Sequence, residues 1–405
     1  MSGKNDEVIK FNVEAVCRID DYQDAYLIAM KDYVHRSASR FLAVLTILKQ
    51  SGYRDSDNLL EVFDNLEATT SLFLEYRELD ALAISLVRAY SILKDSNQIQ
   101  KCLNEILLAI SSFSEFLVSE NLETVINPGE IVSFPLLEKS IQARQPLQFG
   151  ELLNIARFTQ AEGTIRTQEY ILLAHKRNQL GTRRFLGTRQ PSEAENEYSI
   201  FEFGDLPETD SVAFVDYCLM LVSNLDLKLR TLMSELYKTL TICPRTPQMR
   251  QAGSVSSLPG WVWQDVDPNA HYEEEFPHLI TQLVHEFFHT KLNIVEKYAK
   301  IWNTDGRTPL LFSPWKDRNR PIRQVIHALM TFSAGGVALK QTLDIPRVSS
   351  SRVEGWAVDY WRENLSFAKD TEKVLINSGA LTKEGELLVK SIVHNFNLNV
   401  SELIR

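Results

Sequence analysis

The stretch LVHEFFHTKLN, residues 283–293, places two histidines four positions apart, with a glutamate directly after the first. Apolar residues recur at three- and four-residue spacing from Phe276 to Tyr298, which predicts a helix with one broad apolar face. Positions i and i+4 of a helix lie on the same face, about 6 Å apart along the axis. The spacing therefore predicts that His285 and His289 bind one metal ion. The alternative is a pair of buried histidines satisfied by hydrogen bonds alone.

A metal site needs a third ligand, and the sequence offers two candidates. His327 follows His289 by 38 residues, in a second helix pattern that starts near Arg323. Glu354 follows by 65 residues, in the stretch RVEGWAVDYW. His271 and His278 are nearer, but their acidic, Pro-broken context HYEEEFPH is typical of surface groups.

The identity of the third ligand decides the chemistry. Two histidines and Glu354 around zinc, with Glu286 as general base to a bound water, would make a metallopeptidase. Nitrogen ligands with open coordination positions would instead suit Fe(II) and an oxygen-activating reaction. Spacing along the chain does not separate the two.

Composition limits the classes of partner. The chain has 405 residues and a formal net charge of −10, which argues against nucleic acid as a partner because phosphate contacts need surplus Lys and Arg. The N-terminal stretch lacks the apolar core of a signal peptide, and no apolar run reaches the roughly 20 residues needed to cross a bilayer. Four scattered cysteines form no CxxC pair. These features predict a cytoplasmic protein with reduced thiols and no membrane association.

Helical spacing dominates the chain and predicts a mainly α, multi-helix architecture with a small β element beside the HExxH helix. The stretch FLAVLTILKQSG (41–52) predicts a helix ending near Gly52, and residues 102–122 predict another. Helical spacing resumes over 148–190, and residues 211–243 are typical of a long helix running towards a strand. The stretch GSVSSLPGWVWQD (253–265) predicts a short strand or hairpin next to the site.

Three regions are predicted from these patterns. Residues 1–126 form an N-terminal helical lobe that ends at a Pro-Gly break, and 127–249 form a middle, mostly helical segment. Residues 250–405 form the catalytic region with the HExxH motif. The sequence leaves the oligomeric state open.

The stretch LLFSPWKDRNRPIRQVIHAL (310–329), together with LVHEFFHTKLN, resembles the HExxH-domain family of peptide-modifying enzymes found with ribosomally made natural products. The flanks AGSVSSLPGWVW and LINSGALTKEGELLV are also similar, so that the resemblance covers about residues 250–395. The matching residues are Leu283 to Leu292, Ser313, Pro314, Trp315, Arg320, Pro321 and His327.

Members of that family are implicated as Fe(II)- and 2-oxoglutarate-dependent oxygenases, with O2 as cosubstrate, that hydroxylate the β-carbon of a residue in a precursor peptide. The resemblance implies iron bound by His285, His289 and His327. It also implies that Arg320 clamps the distal carboxylate of 2-oxoglutarate in a two-pronged pair. Glu286 would then be a hydrogen-bond acceptor that orients a ligand histidine.

Two positions depart from the family pattern, and two other functions stay open. Lys316 replaces the arginine that usually follows the tryptophan, and DRNRP replaces an aspartate-rich DDPRP, which changes the charge of the loop that carries Arg320. The EGWA that includes Glu354 is also similar to the third-ligand helix of glutamate-type zinc peptidases. A non-catalytic protein that only binds a peptide is the third possibility.

Overall fold

The computed structural model describes most of the chain. The described residues are 9–53, 55–110, 125–134, 137–160, 164–174, 183–186, 215, 217–222, 225–244, 252–254, 259–266, 272–345 and 351–404. Within them the protein is mostly helical with a few small sheets, which confirms the predicted mainly α class.

Helices dominate residues 24–110 and 272–400. Their bounds are α1 Asp24–Gln50, α2 Ser56–Val62, α3 Leu66–Glu75, α4 Arg77–Arg88, α5 Ser96–Ile110, α6 Phe149–Phe158, α7 Leu227–Leu236, α8 Tyr272–Val295, α9 Ile322–Leu343, α10 Ser351–Asn377 and α11 Lys383–Val400. Helix α1 ends near Gly52, as the sequence predicted, and Gly52 has φ +76°. The amide of Gly52 donates to the carbonyl of Lys49, and the amide of Tyr53 donates to the carbonyl of Leu48. A glycine in the left-handed region can close a helix in this way without a Cβ clash.

Short strands occupy the middle of the chain and one hairpin near its C-terminal third. Their bounds are β1 Val125–Ile126, β2 Ile131–Phe134, β3 Lys139–Ala143, β4 Leu147–Gln148, β5 Thr164–Arg166, β6 Tyr170–Ala174, β7 Arg183–Leu186, β8 Thr239–Pro244, β9 Ala252–Ser254, β10 Trp261–Val266, β11 Leu310–Ser313 and β12 Arg318–Pro321. One four-stranded sheet has the order β2-β3-β6-β5 and another the order β7-β8-β10-β9, in which β7, β8 and β10 run parallel. Strands β9 and β10 contact α8.

The middle segment differs from the sequence prediction. Helical spacing over 148–190 predicted helix, whereas among the described residues of that stretch α6 is followed by strands β5, β6 and β7. The predicted helix over 211–243 is interrupted at Asp226, whose side chain caps the start of α7. Strands therefore share the described parts of 127–249 with helices, because long-range pairing of strands overrides local helix propensity. The second half of the predicted helix over 102–122 lies outside the described residues.

Two hydrophobic cores hold these elements. The larger one joins the N-terminal helices to the C-terminal ones, since it runs from Val16 through Phe41 and Phe288 to Phe396. The smaller one lies between the β2-β3-β6-β5 sheet and α6, around Phe134 and Phe149. The described helices up to residue 110 thus share a core with α8, although the division into three regions stays a prediction.

One helix in the described part of the chain is long and apolar enough to cross a membrane, by length and composition alone. This helix is α9, Ile322–Leu343, and 83% of its most apolar window is buried inside the protein. Such burial is typical of the core helix of a soluble protein.

Close packing of α9 against α11 gives a first testable prediction. A Cβ on Gly336 would lie 2.5 Å from Cε2 of Phe396, which is far inside van der Waals contact. Gly336→Ala is therefore expected to lower the free energy of unfolding by about 1–3 kcal/mol, as over-packed cores do. In Gly355→Ala, on α10, a Cβ meets nothing within 4 Å, and the variant should gain about 0.5–1 kcal/mol from helix propensity. Urea unfolding of both variants checks the pair, and a stabilised Gly336→Ala would contradict the packing.

Candidate metal centre

The HExxH motif lies on α8, whose apolar residues fix its orientation. Ile280, Leu283, Val284 and Phe287 are fully buried, so the helix cannot turn its histidines away without exposing them. The rings of His285 and His289 have centroids 5.0 Å apart. One ligand atom from each of His285, Glu286 and His289 lies within 4.8 Å of the others, a spacing that can surround one ion.

His327 reaches the same place from α9, which packs along α8. Its Nδ1 lies 2.8 Å from Nδ1 of His289, and the two rings stack with centroids 5.1 Å apart. Two nitrogens bound to one ion at about 2.1 Å and at right angles lie about 3.0 Å apart. The separation of the two Nδ1 atoms is that of a hydrogen bond from His289 to His327, and it is also close to the separation of two ligands on one metal.

The buried carboxylate of Glu296 accepts a hydrogen bond from His327. Oε2 of Glu296 lies 3.1 Å from Nε2 of His327, and both side chains are less than 10% exposed. Arg323 in turn donates to both oxygens of Glu296 and to Oδ1 of Asn293. Because Nε2–H of His327 donates to a carboxylate, its Nδ1 is left with a lone pair on the side that faces His289. A carboxylate behind a ligating histidine is the usual way in which proteins orient such a ligand.

The environment keeps all three imidazoles neutral. Burial, with help from the charge of Lys316, lowers the pKa of His285 to about 3. Burial also lowers the pKa of His289 well below its usual range. For His327, burial lowers the pKa although the hydrogen bond to Glu296 works in the opposite direction. Neutral imidazoles offer the lone pairs that a metal needs, so no proton has to leave before an ion binds near neutral pH.

Glu296 itself is ionised. Its burial alone would raise its pKa, but hydrogen bonds from His327 and Arg323 bring the pKa below the usual range. The negative charge is therefore available to balance part of the charge of a bound cation.

Glu286 is buried beside the first histidine. Its Oε1 lies 4.0 Å from Nε2 of His285, which is longer than a hydrogen bond. Burial raises the pKa of Tyr237 well above its usual range, and the charge of Glu286 adds to this rise. The side chain therefore lies close to both His285 and Tyr237, and it belongs to the same ligand-spaced group as His285 and His289.

Aromatic side chains close one side of the centre. The ring of Phe332 meets His285 edge to face with centroids 4.9 Å apart, and Trp315 stacks on Phe332 with centroids 5.3 Å apart. Nε1 of Trp315 donates to Oδ1 of Asn364 at 2.6 Å. This hydrogen bond from the SPW turn to α10 fixes the indole, so that the wall beside His285 is rigid and apolar.

Two basic residues of the β11–β12 hairpin act electrostatically on the histidines. Arg320 is half-buried on β12, and its Nε donates to Oε1 of Gln324 at 2.8 Å. Its charge helps to lower the pKa of both His289 and His327, which places the guanidinium near the centre. Lys316, which is exposed, acts in the same way on His285. The centre therefore has a positive rim that favours an anionic ligand.

The other sequence candidates lie elsewhere. Glu354 is exposed in the first turn of α10. The ligand-spaced group among the described residues consists of His285, Glu286 and His289, so it includes neither Glu354 nor His327, and of these two only His327 has a ring nitrogen close to His289. His278, predicted to be a surface group, is half-buried: its Nε2 lies 3.0 Å from Nε2 of Gln282, and its ring contacts Trp356. His271 lies outside the described residues.

No protein-family model matches the chain, and no curated protein matches it either.

The sequence analysis did not predict that Glu296 and Arg323 hold His327 in place. Glu296 follows His289 by seven residues, which returns to the same helix face after two turns, and Arg323 precedes His327 by four. Both spacings are visible in the sequence itself, and they are the signal that could have pointed to this support. The arrangement offers a candidate metal site: His285, Glu286 and His289 at ligand spacing, His327 beside His289, an apolar wall and the buried carboxylate of Glu296.

Proposed function

We propose that this protein is an Fe(II)- and 2-oxoglutarate-dependent oxygenase that hydroxylates the β-carbon of a residue in a ribosomally made peptide. The observation that carries the proposal is a cluster of three neutral imidazoles that the charges of Lys316 and Arg320 also reach. His285 and His289 lie at ligand spacing together with Glu286, and Nδ1 of His327 lies 2.8 Å from Nδ1 of His289. A metal site without a cationic rim would suit hydrolysis equally well. The rim favours a reaction that needs an anionic cosubstrate.

The donor set fits Fe(II). Imidazole nitrogen suits iron and zinc alike, and three protein ligands leave open coordination positions for a cosubstrate and O2. His327 is held by Glu296 and Arg323, so this ligand is oriented before any ion binds.

Arg320 fits a role in binding 2-oxoglutarate. Its hydrogen bond to Gln324 fixes the plane of the guanidinium, and a fixed guanidinium pairs with a carboxylate through two parallel hydrogen bonds. Lys316, which takes the place of the family's arginine, adds charge near His285 without a forked geometry.

When bound, the ion and 2-oxoglutarate supply the oxidising chemistry through decarboxylation of the 2-oxoacid to succinate. The protein's own side chains orient the bound groups and exclude water. His285, His289 and His327 hold the ion, Arg320 holds the distal carboxylate, and Phe332 with Trp315 excludes water on the His285 side. Glu286, buried between His285 and Tyr237, places a negative charge beside the first ligand.

The zinc-peptidase alternative needs Glu354 as third ligand, and the exposed position of Glu354 at the start of α10 disfavours it. A cytoplasmic location and a precursor peptide as partner, without nucleic acid or membrane, are parts of the same proposal.

The test is an anaerobic titration of the metal-free protein with Fe(II) and 2-oxoglutarate, followed by visible absorption. A chelated 2-oxoacid on Fe(II) gives a charge-transfer band, and we expect that band in the wild type. Arg320→Ala should weaken 2-oxoglutarate binding by about 10- to 100-fold, as loss of a bidentate charged pair does, with Fe(II) affinity unchanged. Absence of the band, together with tightly held zinc that depends on Glu354, would support the peptidase. A chain that binds no metal would support the non-catalytic peptide binder.

The hydrogen bond between His327 and Glu296 gives a second prediction. Glu296→Gln keeps the shape of the side chain and one oxygen that can accept from Nε2–H of His327. It removes the negative charge and one of the two oxygens to which Arg323 donates. We expect Fe(II) to bind about tenfold more weakly, because outer partners of metal ligands contribute 10- to 100-fold in affinity. Exposed Glu384 provides the control, since Glu384→Gln makes the same chemical change outside the centre. Equal Fe(II) affinities in the two variants, measured by competition with a chromophoric chelator, would contradict the role of Glu296.

A further inference from the structure

Asn364 is a buried polar residue of α10 that bonds the tryptophan of the hairpin beside the metal centre. It is only 4% exposed. Its Nδ2 donates to the carbonyl oxygen of Tyr360 at 2.8 Å, and its Oδ1 accepts from Nε1 of Trp315 at 2.6 Å. A carbonyl only accepts and an indole N–H only donates, so these two partners fix which end of the carboxamide faces the indole. The acceptor for Trp315 is therefore held in place by α10 itself.

A continuous set of aromatic contacts leads from this hydrogen bond to the first histidine. The indole of Trp315 lies nearly parallel to the ring of Phe332, with an interplanar angle of 4°, and Phe332 in turn meets His285. Phe367, on the same helix as Asn364, meets the indole edge to face with centroids 5.8 Å apart. The hydroxyl of Tyr360 also donates to the carbonyl oxygen of Phe332 at 3.4 Å. Helix α10 thus fixes both rings of the stack beside the metal centre.

Filling space does not require a carboxamide at this position. An apolar side chain of similar size would pack between the same neighbours, as Leu365 and Ala368 do on the same helix. Burial of a carboxamide carries a desolvation cost that its hydrogen bonds have to offset. What the carboxamide adds is direction, because the hydrogen bond sets the orientation of the indole, which packing alone would leave to ring contacts.

The indole belongs to the turn that carries the basic side chains. The turn is Pro314–Lys316, between β11 and β12, and it contacts α10. Lys316 ends the turn, and its charge reaches His285. Arg320 follows on β12, which pairs with β11. The hydrogen bond to Asn364 therefore fastens to α10 the hairpin on which both basic residues lie.

We propose that Asn364 is a positioning residue for the 2-oxoglutarate site. Through Trp315 it fixes the hairpin whose two basic side chains would meet an anion beside the histidines. This role rests on the proposed function, because that function supplies the cosubstrate. The two residues lie 49 positions apart in the chain, so no local motif links them.

The expected effect follows from having the hairpin in place before the cosubstrate arrives. Without the hydrogen bond, part of the binding free energy of 2-oxoglutarate has to order the hairpin, and the apparent affinity falls with the fraction of molecules that are ready to bind. One hydrogen bond contributes about three- to tenfold in such an equilibrium. Binding of Fe(II) alone should not change, because His285, His289 and His327 lie on α8 and α9 and not on the hairpin.

The test is an anaerobic titration of the Fe(II)-loaded, full-length protein with 2-oxoglutarate, followed by the charge-transfer band. Asn364→Leu keeps the size of the side chain and removes both hydrogen bonds, and it should raise the Kd of 2-oxoglutarate about three- to tenfold. Asn399→Leu is the matched control on α11, since Nδ2 of Asn399 also donates to the carbonyl four residues earlier, that of Asn395, at 2.8 Å. The control should bind 2-oxoglutarate as the wild type does.

A double-mutant cycle separates positioning from general stabilisation. Trp315→Phe keeps a ring against Phe332 but removes the N–H that donates to Asn364. It should weaken 2-oxoglutarate binding, and Asn364→Leu should add no further weakening in that background, because both changes remove the same hydrogen bond. If Asn364 only stabilised the fold, Asn364→Leu would unfold at a lower urea concentration but bind 2-oxoglutarate as tightly as the wild type.

Acrylamide quenching of tryptophan fluorescence gives a readout that does not depend on the cosubstrate. The contribution of Trp315 is the difference between proteins with and without Trp315→Phe, and it should be quenched more strongly when Asn364 is leucine. A band in the wild type with unchanged 2-oxoglutarate affinity in Asn364→Leu would overturn the positioning role and leave the oxygenase standing. If the wild type gives no band, the oxygenase and the cosubstrate role fall together, and quenching alone then decides whether Asn364 fixes the wall beside His285.

Discussion

Replacement of His327 by alanine is expected to weaken Fe(II) binding by about 100-fold, whereas Glu354→Ala leaves it unchanged. His327 places Nδ1 2.8 Å from Nδ1 of His289, and Glu354 is exposed on the first turn of α10. Metal binding to four-ligand structural sites is worth about 10–16 kcal/mol, so one ligand contributes roughly 3 kcal/mol, or about 100-fold. Anaerobic competition with a chromophoric chelator measures both variants.

His278 provides the control for loss of an imidazole. It lies on the same helix as the motif, seven residues before His285, and contacts Gln282 and Trp356 instead of the metal group. His278→Ala should keep the Fe(II) affinity of the wild type. If Glu354→Ala loses the metal and His327→Ala keeps it, the third ligand is the glutamate and the peptidase replaces the oxygenase.

Removal of Asp21 is expected to cause the largest loss of stability, about 3–5 kcal/mol in the free energy of unfolding. Asp21 pairs with Lys291 at 3.0 Å, and neither side chain is more than 3% exposed. The hydroxyl of Tyr26 also donates to this carboxylate at 2.6 Å. Asp21→Ala leaves the ammonium of Lys291 buried without its counter-charge, and breaking a buried ion pair on one side costs this much.

Two comparisons isolate the origin of that loss. Asp21→Leu combined with Lys291→Met removes both charges and should recover most of the stability, because an apolar replacement of a buried pair is often neutral. Asp359→Ala breaks the exposed pair with Arg362 and should change stability by less than about 1 kcal/mol. Urea unfolding measures all three variants. A loss in Asp21→Ala as small as that in Asp359→Ala would show that water reaches the buried pair.

Local periodicity was enough to predict part of this molecule. The i, i+4 spacing of His285 and His289 and the apolar face around them depend only on helix geometry. The stop of α1 at Gly52 depends only on a left-handed residue. These features are decided within a few residues of chain, so they could be predicted without knowledge of the fold.

Other features depend on contacts between distant residues. The strands over 164–186 need partners elsewhere in the chain, and helical spacing could not reveal them. The pair of Asp21 and Lys291 joins residues 270 positions apart. Spacing along the chain did not separate Glu354 from His327, although the family resemblance favoured His327. The packing of α9 on α8 and the exposure of Glu354 also favour His327.

The candidate ligands lie on two different helices, and this has a thermodynamic consequence. An ion held by His285 and His289 on α8 and by His327 on α9 would act as a reversible cross-link between them. Unfolding would then require release of the ion, so part of its binding free energy becomes folding free energy. Melting temperature should rise with the concentration of free metal by mass action and fall when a chelator is added. The thermal resistance of the protein would thereby report how much metal is available to it.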